Sequence, residues 1–301
     1  MNSIAILIPC YNAAEYLSDL FEGINAQTIP FDEIICYDDC STDNTIEVAL
    51  RLGAKVIKGY ENKGPSFGRN RLIEATKSDW IHFHDADDLI DPSFVEVFQK
   101  YIIDQNTQFL CNAAVLYRLN RSINVGNIVY DSLNEADDQL EYFLNNVGFA
   151  SMGLYSKKAL ESIGGFREDI KANEDPDLHV RLVKNGFTVK AVNKYLVTKL
   201  EHDTSYSHQN WMLCVEEKLK CYEMYLTTFE KKYFKTIGKH LAVSGAYFYT
   251  HQNIKAGTKT LELVKKAGVK SIDTSAFSFL FTRIFGVKAY YRFLQFRNRN
   301  L

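Results

Sequence analysis

The sequence predicts an α/β protein: a mostly parallel sheet flanked by helices, followed by a helical C-terminal region. Three observations predict it. Ile4-Ala5-Ile6-Leu7-Ile8 is a continuous apolar run, the pattern of a strand buried on both faces. Strand-like and helix-like segments then alternate through the first hundred residues, as parallel strands joined by crossover helices require. After about residue 205 the chain reads as helical.

Each element follows from local pattern. Pro9 ends the first strand. Tyr16, Leu17, Leu20, Phe21 and Ile24 share one stripe at helical spacing, which predicts a helix within 13–27. Glu33–Tyr37 reads as a second strand, and Ser41-Thr42-Asp43 offers an N-cap for a helix through Leu52. Lys55–Lys58 is a short third strand, Pro65–Thr76 a helix, Trp80–His84 a fourth strand and Phe94–Ile103 a helix. Phe109–Tyr117 has strand character, and 121–138 reads as a polar loop or hairpin. Ser156–Ile163 is a helix stopped at Gly164-Gly165, and Asp175–Asn185 another stopped at Gly186. Thr188–Leu200 returns to strand character. A core domain is therefore expected at 1–205 and a helical region at 206–301. The latter holds helices over Trp211–Thr227, Tyr233–Tyr249 and Ile254–Ala267, the last two forming a hairpin around His251–Asn253.

The chain has 301 residues, 46% hydrophobic and 24% charged, with a net charge of −2. This excludes a general nucleic-acid binder, and no nucleic-acid partner is expected. The average hides an asymmetry. Residues 231–301 hold 14 Lys and Arg against Glu262 and Asp273, a net of +12, which leaves −14 on residues 1–230. A basic face meeting something acidic is expected. No run of 18 apolar residues is present to span a membrane. Ile4–Ile8 is too short for the apolar core of a secretory leader and lacks a basic segment before it. A reducing, cytoplasmic setting with free thiols is therefore expected for the six cysteines. Cys36-x-x-x-Cys40 has no second Cys or His pair at zinc spacing.

The most informative stretch is His82-Phe83-His84-Asp85-Ala86-Asp87-Asp88. An Asp-x-Asp at the end of a strand puts hard oxygen ligands at the sheet edge where open α/β folds bind ligands. Such a pair suits Mg²⁺ or Mn²⁺ held against phosphates. The same cluster fits helix capping, since Asp91-Pro92 follows. The two familiar nucleotide cradles are missing. The turn after the first strand, Pro9-Cys10-Tyr11-Asn12-Ala13-Ala14, has no glycine, and no P-loop pattern occurs.

Five segments, in order across residues 4–208, give the chain its resemblance to the family 2 glycosyltransferases of GT-A fold. They are Ile8-Pro9-Cys10-Tyr11-Asn12; Asp38-Asp39-Cys40-Ser41-Thr42-Asp43; Asn62-Lys63-Gly64-Pro65-Ser66-Phe67-Gly68-Arg69-Asn70; Asp85-Ala86-Asp87-Asp88; and Gly164-Gly165-Phe166 with Asn173-Glu174-Asp175. The resemblance implies an inverting, metal-dependent transferase that moves a sugar from a nucleotide-sugar, a UDP-sugar, to a hydroxyl of a saccharide or lipid-linked acceptor. It implies a place in surface polysaccharide or glycoconjugate assembly.

The resemblance also assigns roles. Pro9 and Tyr11 border the donor, where the ring of Tyr11 stacks on a base or packs in the core. Asp39 accepts from uracil, Asp38 is structural and Asp43 caps the next helix. Cys40 stands where the family usually has glycine. Gly64 permits a turn, and Arg69 contacts phosphate or base; Lys63 and Arg71 fit donor contacts or solvated charges equally. Asp87 ligates Mn²⁺ or Mg²⁺, Asp85 contacts ribose or metal, and Asp88 supports them. His202 completes the metal site or is structural. Asp175 is the general base or a helix cap, and Glu174 orients the acceptor. Asn112, Phe149, Ser151 and Met152 are expected to line the sugar pocket.

The tail from Phe277 is aromatic and basic. Phe277, Phe279, Leu280, Phe281, Ile284 and Phe285 fit a bilayer interface, with Arg283, Lys288, Arg292, Arg297 and Arg299 on anionic lipid. The protein would then lie peripherally on the inner face of the cytoplasmic membrane. A tail packed on its own core or in a dimer is the alternative. Two rival functions are a nucleotidyltransferase making nucleotide-sugars, against which the missing glycine-rich loop counts, and a non-catalytic nucleotide-sugar-binding module.

Overall fold

The computed structural model describes residues 2–201, 210–271 and 276–299. The chain divides into two compact units, Met1–Gln209 and Asn210–Leu301. His202 and the side chains of Phe277, Phe279, Arg297 and Arg299 lie outside the described residues.

In the first unit the apolar run forms β1 (Ile4–Cys10), whose residues 4–8 are fully buried. Burying each such Ile or Leu contributes roughly 1.5–3 kcal/mol. β1 lies between β2 (Glu33–Asp38) and β4 (Trp80–Phe83), parallel to both, and β3 (Lys55–Lys58) extends the row beside β2. Helices α1 (Leu17–Asn25), α2 (Thr45–Arg51) and α3 (Pro65–Ala75) make the crossovers. The registers Cys10↔Asp38 and Leu7↔Phe83 bring the carboxyl ends of three strands to one edge.

The other half of the sheet is mixed. It contains β5 (Leu89–Ile90), β6 (Thr107–Tyr117), β7 (Asn120–Ile128), β8 (Gly153–Ser156) and β9 (Thr188–Glu201). Among the described residues the order is β3-β2-β1-β4-β8-β6-β9-β5, with β7 on β6. β8 runs antiparallel to both β4 and β6 and so joins the two halves, while β6 and β9 are parallel. Helices α4 (Phe94–Gln99), α5 (Gln139–Asn145), α6 (Lys157–Ser162) and α7 (Glu174–Lys184) complete the unit.

Differences from the sequence expectation have local causes. Residues 13–16 form a turn, with the Tyr16 N–H donating to Ala13 O at 2.9 Å, so α1 starts at Leu17. Asp43 accepts the Thr45 N–H at 3.0 Å, although the cap position itself is Asn44. The segment 121–138 contains the second strand of a β6–β7 hairpin. Strand β8 and helix α5 were not expected. β8 has four residues, too few for a period, and exists through pairing with distant β4 and β6. Asp138 caps α5 by accepting from Leu140 and Glu141 N–H at 3.0 and 3.1 Å.

The second unit is helical: Trp211–Thr228, Phe234–Thr250, Ile254–Lys266, Ala276–Phe285 and Val287–Arg299. Asn253 caps the third helix by accepting from Ala256 N–H at 3.2 Å. The last two helices carry a buried and an exposed set of residues. Val287, Tyr291 and Leu294 are buried, and the Tyr291 hydroxyl donates to Ala242 O at 2.6 Å. Leu280, Ile284, Phe285 and Phe296 are exposed, as are Arg283, Lys288 and Arg292. Among the described residues no helix is long and apolar enough to cross a membrane.

One carboxylate fastens the approach to β4. Glu33 Oε2 accepts from Thr76 Oγ1, Lys77 N, Ser78 N and Ser78 Oγ at 2.5–2.9 Å. Burial acts to raise the pKa of Glu33, and these donors more than reverse it, leaving it below its ordinary 4.5. The folded state thus binds this proton less tightly than the unfolded chain. The stabilisation is present above the ordinary value and lost as pH falls through the depressed one. Glu33→Gln is expected to lower stability at pH 7 by roughly 1–3 kcal/mol and to flatten the acid limb of Tm against pH. An unchanged acid limb would remove this role.

Candidate active site

The carboxyl edge of β1, β2 and β4 borders a cleft of about 640 Å³. Pro9 and Tyr11 reach it from β1, Asp39 from β2, and Asp85 and Asp87 from the loop after β4. Gly64 and Arg69 enter from the start of α3, and Glu174 from the start of α7. Asp175 adjoins Glu174 but is not a lining residue; both side chains are 14% exposed. Tyr11 is 52% exposed and is not a core aromatic. These residues, expected from separate sequence segments, are therefore brought to one cleft, with His202 outside the described residues.

Three turns around the cleft use left-handed backbone: Asn12, Cys40 and Asn173, at φ 49°, 64° and 66°. Asparagine tolerates this region; most other side chains do not. Gly64, at φ 86°, turns the chain into Pro65 and α3. Asp39 secures that turn, its two oxygens accepting the N–H groups of Lys63 at 3.0 Å and Gly64 at 2.7 Å. Each oxygen keeps a second lone pair for a ligand.

Arg69 joins the two ends of the site. Its Nη1 donates to Glu174 Oε1 at 2.9 Å and Asp175 Oδ1 at 3.2 Å, and its Nη2 to Asp85 Oδ1 at 3.2 Å. Both terminal nitrogens are thus engaged by carboxylates. Burial acts to lower the pKa of Arg69, but Asp175, Glu174 and Asp85 hold it above its ordinary value. Burial and the neighbouring Asp175 push Glu174 upward. Asn70, next on α3, exchanges hydrogen bonds of 2.8 and 2.9 Å with the Phe166 backbone and so ties α3 to the Gly164-Gly165 turn. Only glycine fits at Gly165, at φ 66° against the Asn70 side chain.

Lys199, on β9, drew no attention as a sequence feature. Its Nζ donates to Asp88 Oδ2 at 2.6 Å, Asp85 Oδ2 at 3.2 Å and Ser151 Oγ at 3.3 Å. Burial acts to raise the pKa of Asp85, and Lys199 with Arg69 holds it well below the carboxylate range. Asp88 is 3% exposed and burial pushes it up to about 6 despite Lys199. Its Oδ1 accepts the Leu200 N–H at 2.9 Å. The expected sugar-pocket residues Asn112, Ser151 and Met152 are buried and do not line the cleft. Asn112 Oδ1 instead accepts the Tyr130 N–H at 3.1 Å.

Asp85 and Asp87 present carboxylates to the cleft. Among the described residues no group of three or more His, Cys, Asp and Glu converges on one ion position. A two-aspartate set fits Mg²⁺ or Mn²⁺, which keep waters and substrate phosphates as their other ligands.

The curled mixed sheet flanked by helices is that of a GT-A glycosyltransferase. The chain belongs to glycosyl transferase family 2, whose model matches residues 5–164, more than half its length. It is 27% identical over 212 residues to a chondroitin synthase from Pasteurella multocida (strain Pm70), covering 69% of this chain and 21% of that protein. It is 24% identical over 216 residues to TuaG of Bacillus subtilis (strain 168), named for teichuronic acid biosynthesis, covering 69% and 82%. S. aureus TarS 1-349, solved with UDP-GlcNAc, has the same fold, with a TM-score of 0.72 at 17% identity over 99% of this chain and 92% of that one.

The strained Cys40 turn is testable. At φ 64° a cysteine pays a steric penalty that glycine lacks. Set against glycine's greater unfolded-state entropy, Cys40→Gly is expected to raise stability by roughly 0.5–1 kcal/mol, read as a higher Tm in thermal denaturation. A lower Tm would mean the thiol contributes contacts that outweigh the strain.

Proposed function

We propose that this glycosyltransferase is an inverting hexosyl- or N-acetylhexosaminyl-transferase. It moves the sugar of a UDP-sugar to a hydroxyl of a saccharide or lipid-linked acceptor, in surface polysaccharide or glycoconjugate assembly. Catalysis belongs to residues 1–205 and surface attachment to 206–301. The observation that carries the reading is the Arg69 guanidinium, which holds Asp85 of the Asp-x-Asp and the Glu174-Asp175 pair at one cleft. Support for the donor comes from TarS, solved with UDP-GlcNAc. Support for the product comes from the names of the chondroitin synthase and TuaG.

Pro9, Tyr11 and Asp39 bind the uridine, the exposed ring stacking on the base and the carboxylate accepting from it. Gly64 permits the turn that brings Arg69 to the donor, and Arg69 with Asp85 meets its diphosphate and ribose side. Asp87 and Asp85, with His202, would hold Mn²⁺ or Mg²⁺, and the ion would supply charge neutralisation on the departing diphosphate. Asp175 takes the proton from the acceptor hydroxyl. The oxygen then bonds to the anomeric carbon as the carbon–phosphate oxygen bond breaks, and UDP leaves with that electron pair. Attack from the opposite face turns an α-linked donor into a β-glycoside. Glu174 orients the acceptor. A second reading exchanges the two carboxylates, since Glu174 lines the cleft and its pKa is raised, as suits a proton acceptor.

The test is UDP release from a panel of UDP-sugars with Mn²⁺, with and without EDTA. Release from one donor, abolished by EDTA, is expected. Release from none, with no UDP bound in calorimetry, would overturn the reading. Asp175→Asn is expected to lower turnover by ~10²–10⁴-fold while UDP binding is unchanged. A larger loss in Glu174→Gln would assign the base to Glu174.

The second unit suits an anionic bilayer surface, with Leu280, Ile284 and Phe285 exposed beside Arg283, Lys288 and Arg292. Co-sedimentation with anionic vesicles is expected. Reversing Arg283, Lys288 and Arg292 to Glu should weaken it by at least about 1 kcal/mol per charge. Equal binding by the triple variant would remove the membrane from the account.

A further inference from the structure

Five contacts close a ring beneath the cleft. Asp85 Oδ1 meets Arg69 Nη2 at 3.2 Å, and Arg69 Nη1 meets Asp175 Oδ1 at 3.2 Å. Asp175 Oδ2 accepts the Ala150 N–H at 3.0 Å, and the adjoining Ser151 Oγ accepts from Lys199 Nζ at 3.3 Å. Lys199 Nζ returns to Asp85 Oδ2 at 3.2 Å. The ring joins the loop after β4, α3, α7, the turn Ala150–Met152 and β9.

We propose that Lys199 is the positioning residue of this ring: it orients Asp85 toward the cleft and spaces it from Asp175. Three facts carry this. An ammonium has three N–H donors, and Lys199 directs them at Asp88, Asp85 and Ser151, so it is a tether and not a substrate contact. Asp85 is held on both oxygens by cations from opposite sides, Arg69 on α3 and Lys199 on β9, so its carboxylate plane is set. Asp88 anchors the tether, since its other oxygen accepts from Leu200 N–H next to Lys199. The inference rests on the metal-assisted donor site proposed above.

Calorimetric titration of the full chain with UDP, in Mn²⁺ and in EDTA, tests it. Wild-type protein is expected to bind UDP more tightly with Mn²⁺. Lys199→Met is expected to lose about 10–100-fold of the Mn²⁺-dependent affinity, the usual effect of removing a residue that orients a metal ligand. Its UDP affinity in EDTA should be unchanged, and Lys199→Arg should recover part of the loss. Lys199→Met strands the buried Asp88, so Lys199→Met/Asp88→Asn is measured beside it and should show the same selective loss. Wild-type Mn²⁺ dependence in the double variant, or an equal loss with and without Mn²⁺, overturns the role of Lys199 and leaves the donor site standing. No Mn²⁺ dependence in the wild type overturns both.

Discussion

The site depends on keeping several carboxylates together in a partly desolvated cleft, and Arg69 makes that possible. Asp85, Glu174 and Asp175 come from segments some ninety residues apart and converge on one arginine that is 4% exposed. Like charges at this range repel strongly where water is excluded. A planar fork with several donors suits the task better than a point charge. Everything that places Arg69 therefore places the site: the left-handed Gly64, Pro65 after it, and Asp39 gripping the backbone of that turn.

The two halves of the sheet divide the labour. The parallel half, β3-β2-β1-β4, delivers Tyr11, Asp39, Asp85 and Asp87 at strand ends, because parallel strands in level register end on the same edge. The mixed half delivers the groups behind these acids. β8 joins it to β4, β6 and β9 run side by side, and Lys199 and the Ala150–Met152 turn are carried to the back of Asp85 and Asp175. The segments that carry Asp85 and Glu174-Asp175 are thus fixed to each other through charge as well as through the sheet. The helical unit stands apart in composition, with its positive charge gathered after residue 230 and an exposed apolar stripe beside it.

Much of this was legible in the chain. Ile4–Ile8, the helix stops at Gly164-Gly165 and Gly186, and the carboxylates after β4 and at the start of α7 are encoded within a few residues of where they sit. Periodicity, turn chemistry and a short motif suffice for such features. Even the departure at Cys40 marked a turn that proves left-handed. Lys199 was not legible, and Asn112, Ser151 and Met152, expected at the cleft, are buried and do not line it. A lysine in a strand looks the same whether it meets solvent or two aspartates. Lys199 becomes a tether because β9 aligns with β6, pairing Val115 with Lys199. Asn112 is turned inward by its bond to Tyr130. The sequence by itself determined the class of fold, the strand ends and the acids they carry, since these are local and periodic. Only the tertiary structure decided which cation faces which acid, because ion pairing depends on distances across strands that no local pattern contains.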